Sequence, residues 1–317
     1  MSKMIKTEKI KGKGPTTGEI IVRDFKINKS LYLMMSIVIA YFVIFKYVPM
    51  YGALIAFKDY TPKQGVWGSE WVGLKHFISF VTAPSFMTLL TNTLRISIAS
   101  VFFSFPMPII LALLMNELSS QGYKKIVQNI TYLPHFISLV IVCGMVKEFT
   151  MAEGVIGDLV AMFGGEPVNL LDYPKYFVPV YIVSGVWQEV GWGTIIYLSA
   201  LSSIDSALYE AATIDGAGRF QQTLNVTIPG ILPTIVIMFV LKMGSILSVG
   251  FEKIILLYNN ATMPVAEVIS SYVYKRGLIN LDWSFSSAVG LFNSIVNLIF
   301  LTSANWLNRK INEASLW

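Results

Sequence analysis

Six stretches of the chain are mainly apolar, near residues 31–53, 88–115, 130–149, 177–200, 231–251 and 284–306. A helix needs roughly 20 mainly apolar residues to cross a bilayer, so the pattern predicts an all-α membrane protein with six transmembrane helices and both termini on one side. Two windows are interrupted. Pro134 and His135 open the third, and Ser284, Ser286 and Ser287 crowd the start of the sixth. Those helices are expected to tilt or to be shielded by protein. The connections near 54–87, 150–176 and 252–283 are longer than most in compact folds and are long enough to fold against an external partner. The connection after the fourth window, residues 201–230, reads differently. It predicts two short helices over 206–225, broken at Gly216 and stopped by Pro229, a shape suited to docking.

Within that loop, Asp205 is placed to cap the first short helix, with Ser206 beside it. Ala207, Ala211 and Ala212 leave a smooth surface for close approach, and Glu210 offers an anionic anchor. Gly216 permits the chain reversal, and Pro229 suits the first turn of the fifth span, where no amide bond is lost. The bland alternative is a surface helical hairpin in which Glu210 is merely solvated.

Composition agrees with the membrane reading. Hydrophobic residues make up 54% of the 317, charged residues only 14%, and mean hydropathy is +0.61, whereas a soluble domain is about a quarter charged. Lysine and arginine set the expected orientation. Eight lie in the first thirty residues, and Lys124, Lys125, Arg219, Arg309 and Lys310 bring that side to thirteen; Lys58, Lys63, Lys75, Lys147, Lys175, Lys253, Lys275 and Arg276 give eight on the other. The N-terminus, the Glu210 loop and the C-terminus are therefore expected to be cytoplasmic. Trp67, Trp71 and Trp306 suit interfacial belts. The organisation reads as a basic tail (1–29), one continuous six-span bundle (30–306) and a short tail (307–317). Leu31–Phe45 runs on into Lys46 and Pro49 with no small-residue cleavage site, so it reads as a retained span rather than a signal peptide. The net charge of +5 lies in the N-terminal tail and implies no nucleic-acid partner. Cys143 has no partner for a disulfide, and His76 and His135 form no metal cluster, so no metal or catalytic site is expected.

Two charges fall inside the spans. Glu189 lies about twelve residues into the fourth and Lys242 about eleven into the fifth, at similar depth by the 1.5 Å rise per residue. They could form an interhelical ion pair. Alternatively they line a translocation path beside Trp187, Gln188 and Trp192, whose faces and polar edges suit a sugar ring.

The run Glu210-Ala211-Ala212, then Asp215-Gly216-Ala217, then Val226-Thr227-Ile228-Pro229 resembles the EAA motif of permease subunits in bacterial ABC importers. Val226 and Ile228 are conservative departures from the usual Ile and Leu. Asp215-Gly216-Ala217 is similar to the carbohydrate-importing branch. Pro49-Met50-Tyr51-Gly52, Ala56-Phe57-Lys58-Asp59-Tyr60, Trp71-Val72-Gly73-Leu74 and Asn92-Thr93-Leu94 resemble the subgroup for polysaccharide or complex oligosaccharide uptake. The resemblance implies a type I importer bundle of the MetI-like kind in the bacterial plasma membrane. Glu210, Ala211, Ala212, Asp215, Gly216, Ala217 and Pro229 would couple it to an ATPase. The implied partners are a second permease, two cytoplasmic ATPase subunits and an extracellular sugar-binding lipoprotein. The chain has no Gly-x-x-x-x-Gly-Lys-Ser/Thr loop, so ATP and Mg would belong to the ATPase subunits, with no cofactor here and no catalysis. A secondary, ion-coupled transporter would need its own ion site and paired halves with broken helices, and no such repeat is evident. A membrane-embedded enzyme would need clustered catalytic groups, and the acids and histidines are too sparse.

Overall fold

The computed structural model describes residues 17–312. The chain divides into two units, Met1–Leu54 and Ile55–Trp317. The parts of the 1–29 and 307–317 tails beyond 17 and 312 lie outside the described residues. In the first unit Thr17–Ile27 is helical, and Asp24 accepts hydrogen bonds from Asn28 at 2.7 Å and from Tyr32 at 2.6 Å. These carry the chain into helix α1 (Lys29–Phe42), which continues through a π-helical turn, Val43–Tyr47, to Val48–Met50.

Four helices among the described residues are long and apolar enough to cross a membrane: Lys29–Phe57, Phe86–Asn116, Arg219–Met243 and Trp283–Lys310. The third apolar window is not a straight span. It is a pair, Gln121–Phe136 and Leu139–Met162, bent by 101°. The cause is local: Pro134 tightens Leu133–Phe136 into a 3-10 turn, and Ile137 and Ser138 then run extended, because a proline ring excludes the regular helical bond. The fourth window is a 29-residue helix, Pro174–Ser202, about 43 Å long but more polar, with Ser184, Gln188, Glu189 and Thr194 on it.

We label α2 (Phe86–Asn116), α3 (Gln121–Phe136), α4 (Leu139–Thr150), α5 (Pro174–Ser202), α6 (Ser206–Ile214), α7 (Arg219–Met243), α8 (Phe251–Leu257) and α9 (Trp283–Asn312). Helix α5 is the axis of the second unit, packing along the second half of α2 and against α3 and α7. Its upper half joins the largest buried cluster, with Phe177 and Ile182 against Val142 of α4 and Ile254 of α8. Its lower end, at Tyr197 and Leu201, packs on Ala112 of α2 and Ile231 of α7. Burying each such side chain contributes about 1.5–3 kcal/mol when the alternative is water; between helices in lipid, close packing does that work instead.

The connection before α2 folds into a two-stranded antiparallel ribbon, β1 (Lys58–Asp59) with β2 (Glu70–Trp71), the one departure from an all-helical chain among the described residues. Lys75 donates to Asp59 at 2.6 Å. This bond holds the Asp59 carboxyl below its ordinary value, with the nearby Lys75 and His76 charges adding to it against desolvation, and the same bond raises Lys75. A lowered acid stabilises above its unfolded pKa, and the contribution is lost as pH falls through the folded one. Protease protection of the ribbon is therefore expected to be lost chiefly below about pH 4. Loss of protection between pH 5 and pH 7 would assign the tie to another group.

Candidate functional sites

One face of α5 is polar and lines a cavity of about 540 Å³. Tyr181, Gly185, Gln188, Glu189 and Trp192 recur at spacings of one, three or four residues, which places them on a single stripe of the helix. Ser100 and Ser104 of α2 face them, with Lys242 of α7 and Lys253 of α8 closing the other side. The spacing also explains a correction. Trp187 lies roughly 160° around the helix from Glu189 and about 140° from Trp192, in a separate apolar hollow of about 390 Å³ with Met145 and Phe149, so it is not part of the polar cavity.

The ion pair between Glu189 and Lys242 does not form. Glu189 Oε2 instead meets His135 Nδ1 at 2.9 Å, and the His135 ring stacks on Trp192, with centroids 4.3 Å apart and planes 2° from parallel. Equal depth along two helices says nothing about azimuth, and the bend of α3 at Pro134 delivers His135 to Glu189 first. Lys242 has no ion-pair partner among the described residues. Lys253, counted above with the outer loops, is only 7% exposed. Its ammonium donates to the Tyr181 carbonyl at 3.0 Å and lies 4.9 Å from the centre of the Tyr181 ring.

Lys253 is buried because the fifth span ends early. Helix α7 stops at Met243 rather than near 251, and Gly244–Gly250 is unwound inside the bundle. Backbone groups at membrane depth must be satisfied internally, and side chains supply partners here. The Ser97 hydroxyl donates to the Ile246 carbonyl. The Leu247 amide donates to Asn297 at 2.9 Å, and Ser270 donates to the Val249 carbonyl at 2.9 Å. The chain then re-enters a helix at Phe251, carrying Lys253 inward.

The second site is the loop between α5 and α7. Asp205 accepts from the Ala207 amide at 2.9 Å and caps α6. Gly216, at φ +79°, takes the left-handed conformation that favours glycine, and the Ala217 amide closes the turn on the Ala212 carbonyl at 2.9 Å. The expected second short helix is not separate: Arg219 opens α7, which continues to Met243 through a π-helical turn at Thr223–Thr227. Pro229 thus lies inside a continuous helix and does not begin one. The widened turn just before it accommodates a residue with no amide to donate, while Thr227 donates its hydroxyl to the Gln222 carbonyl at 3.4 Å.

Cross-ties hold this loop as one piece. Tyr209 and Thr227 share a hydroxyl bond of 3.0 Å, Gln222 donates to Thr213 and to the Ala217 carbonyl at 3.0 Å each, and Arg219 meets Glu117 at the end of α2 at 3.0 Å. The outer surface is unusually apolar for a polar loop, with Ile214 86% and Phe220 75% exposed. Glu210, Ala211 and Asp215 are exposed beside them. Glu210 makes no hydrogen bond or ion pair among the described residues. Exposed apolar side chains around an unpartnered charge are a surface suited to a protein partner.

Residues 97–313 match the family described as binding-protein-dependent transport system inner membrane component. The chain is 47% identical over 291 residues to the polygalacturonan/rhamnogalacturonan transport system permease protein YteP of Bacillus subtilis (strain 168), covering 92% of this chain and 91% of that one. It is 42% identical over 307 residues to protein LplB of the same organism, covering 96% and 95%. Among solved structures, it is similar to a chain of the bacterial alginate ABC transporter in complex with an alginate pentasaccharide-bound periplasmic protein. That similarity has a TM-score of 0.85 and 42% identity, and covers 93% of this chain and 99% of that one.

Proposed function

From a chain that belongs to the family of binding-protein-dependent inner membrane components, we propose an ATP-driven import role for its cavity: passage of oligosaccharides, with carboxylate-bearing sugars the class it fits. The observation that carries this is the cavity wall itself. Lys242 and Lys253 supply two cations, the one carboxylate, Glu189, is already engaged by His135, and Trp192 presents a ring beside them. Aromatic faces stack on sugar rings, and ammonium groups donate strongly to carboxylates. The similar alginate transporter is described as importing an acidic polysaccharide, and YteP is named for polygalacturonan/rhamnogalacturonan, which favours the same class here.

In this reading Glu210, Ala211, Ala212, Asp215, Gly216 and Ala217 face a cytoplasmic ATPase, and both termini lie on that side. ATP and Mg stay on the ATPase pair, and an external sugar-binding protein delivers substrate to a heterodimer of this chain and a second permease. The loop transmits ATPase closure because it is tied to α2 through Arg219 and is continuous with α7. A lever biases a transition only if it docks differently in the two states.

The test is uptake of a galacturonate trisaccharide into proteoliposomes holding both permeases and the ATPase pair, with binding protein outside and ATP inside. Uptake is expected to require ATP and the binding protein together. Uptake that persists without ATP and follows a sodium or proton gradient would instead establish a secondary transporter.

A further inference from the structure

The cavity holds its two lysines differently. Lys242 is partly buried on α7 with no ion-pair partner among the described residues, while Lys253 is buried and fixed. The Tyr181 carbonyl takes one of the three ammonium donors at 3.0 Å, and the Tyr181 ring lies against the charge. What remains points toward Gly185, where a methyl group at the Cβ position would come within 3.2 Å of Nζ. Gly185 and Lys253 both line the cavity, so the missing side chain at 185 is the opening through which the ammonium reaches it. A buried lysine used only as a structural tie would need no such opening, and an uncompensated interior charge is costly to keep.

We propose that Lys253 is a specificity-determining residue that selects carboxylate-bearing sugars inside the membrane domain, with Gly185 as the notch that exposes its ammonium to the passing substrate. This rests on the import reading above and adds a charge filter in the permease after any selection by the binding protein. Pre-organisation supports the assignment: the side chain is already held, so little rotamer freedom is lost when a carboxylate arrives. One carboxylate oxygen would accept from the two ammonium donors that Tyr181 leaves free. A neutral sugar hydroxyl would gain less from the same donors, because it carries no negative charge for the ammonium to attract across a partly buried, low-dielectric site.

The experiment compares uptake of galacturonate trisaccharide with its methyl-esterified form in the full reconstituted transporter, each at a concentration saturating the binding protein. The variants are Lys253→Met and Gly185→Ala. Gly185→Ala keeps the charge and places a methyl group between it and the cavity, so it tests the idea even if Lys253→Met fails to assemble. Both are expected to lower the acid-to-ester uptake ratio roughly tenfold or more. An unchanged ratio in an assembled variant overturns the filter, as does an equal fall for both sugars, which would make Lys253 a structural tie. Failure of the wild-type transporter to import either sugar would count against the import reading itself and be recognised before any variant is compared.

Discussion

Replacing Glu210 with lysine is expected to abolish productive coupling: the ATPase pair no longer co-purifies with the permeases, and oligosaccharide uptake falls by roughly a hundredfold. The charge sits alone on an exposed helix of nine residues, flanked by Ile214 at 86% exposure and Phe220 at 75%. Nothing among the described residues of its own chain uses it, so the substitution leaves the permease fold within about 0.5 kcal/mol of wild type. A partner groove that receives the carboxylate would instead meet a like charge. Such a juxtaposition costs several kcal/mol, and about 2.7 kcal/mol already corresponds to a hundredfold in affinity. Co-purification from one membrane preparation, followed by ATP hydrolysis stimulated by loaded binding protein, separates the cases. Wild-type assembly by Glu210→Lys would remove the loop from the interface and leave it a solvated hairpin. Ile214→Asp should behave like Glu210→Lys if the apolar rim is seated in the same groove.

The membrane class and the loop were legible in the sequence because both rest on local chemistry. Apolar windows mark spans regardless of their packing, and Asp205 and Gly216 carry their cap and their turn with them. What the sequence hid was azimuth and interruption. Depth alone suggested Glu189 opposite Lys242, but only the bend at Pro134 reveals that His135 reaches Glu189. Lys253 was hidden for a related reason. Gly244–Gly250 stays partly apolar while unwinding, so hydropathy cannot mark the break that turns a loop lysine into a cavity wall. Trp187 illustrates the simplest error, a contiguous polar-aromatic run taken as one surface. The spacing of Gln188, Glu189 and Trp192 against Trp187 was available from the sequence and would have excluded it.

The cavity's polar corner depends on a helix contact with no spare room, and Gly191→Val is expected to break it. A Cβ at position 191 would overlap the Thr131 carbonyl and its neighbours in α3, and all the atoms it meets first are backbone. Overpacking a side-chain contact typically costs 1–3 kcal/mol because rotamers adjust; here the yielding element would be a helix segment, so the cost is expected at or above about 3 kcal/mol. The displacement has a specific consequence. Thr131 lies four residues before His135 and two before the 3-10 turn, so pushing α3 away from α5 separates His135 from Glu189 and Trp192. Glu189 would then stand in the cavity without its partner and oppose the two lysines' attraction for a carboxylate. Gly144→Ala is the control, since a methyl group there meets nothing within 4 Å and gains about 0.5–1 kcal/mol of helix preference. Thermal unfolding in detergent should therefore move down for Gly191→Val and not for Gly144→Ala, with acidic-sugar uptake lost only in the first. If Gly191→Val unfolds like wild type and keeps His135 against Glu189, the close approach of α3 to α5 is not what builds this corner.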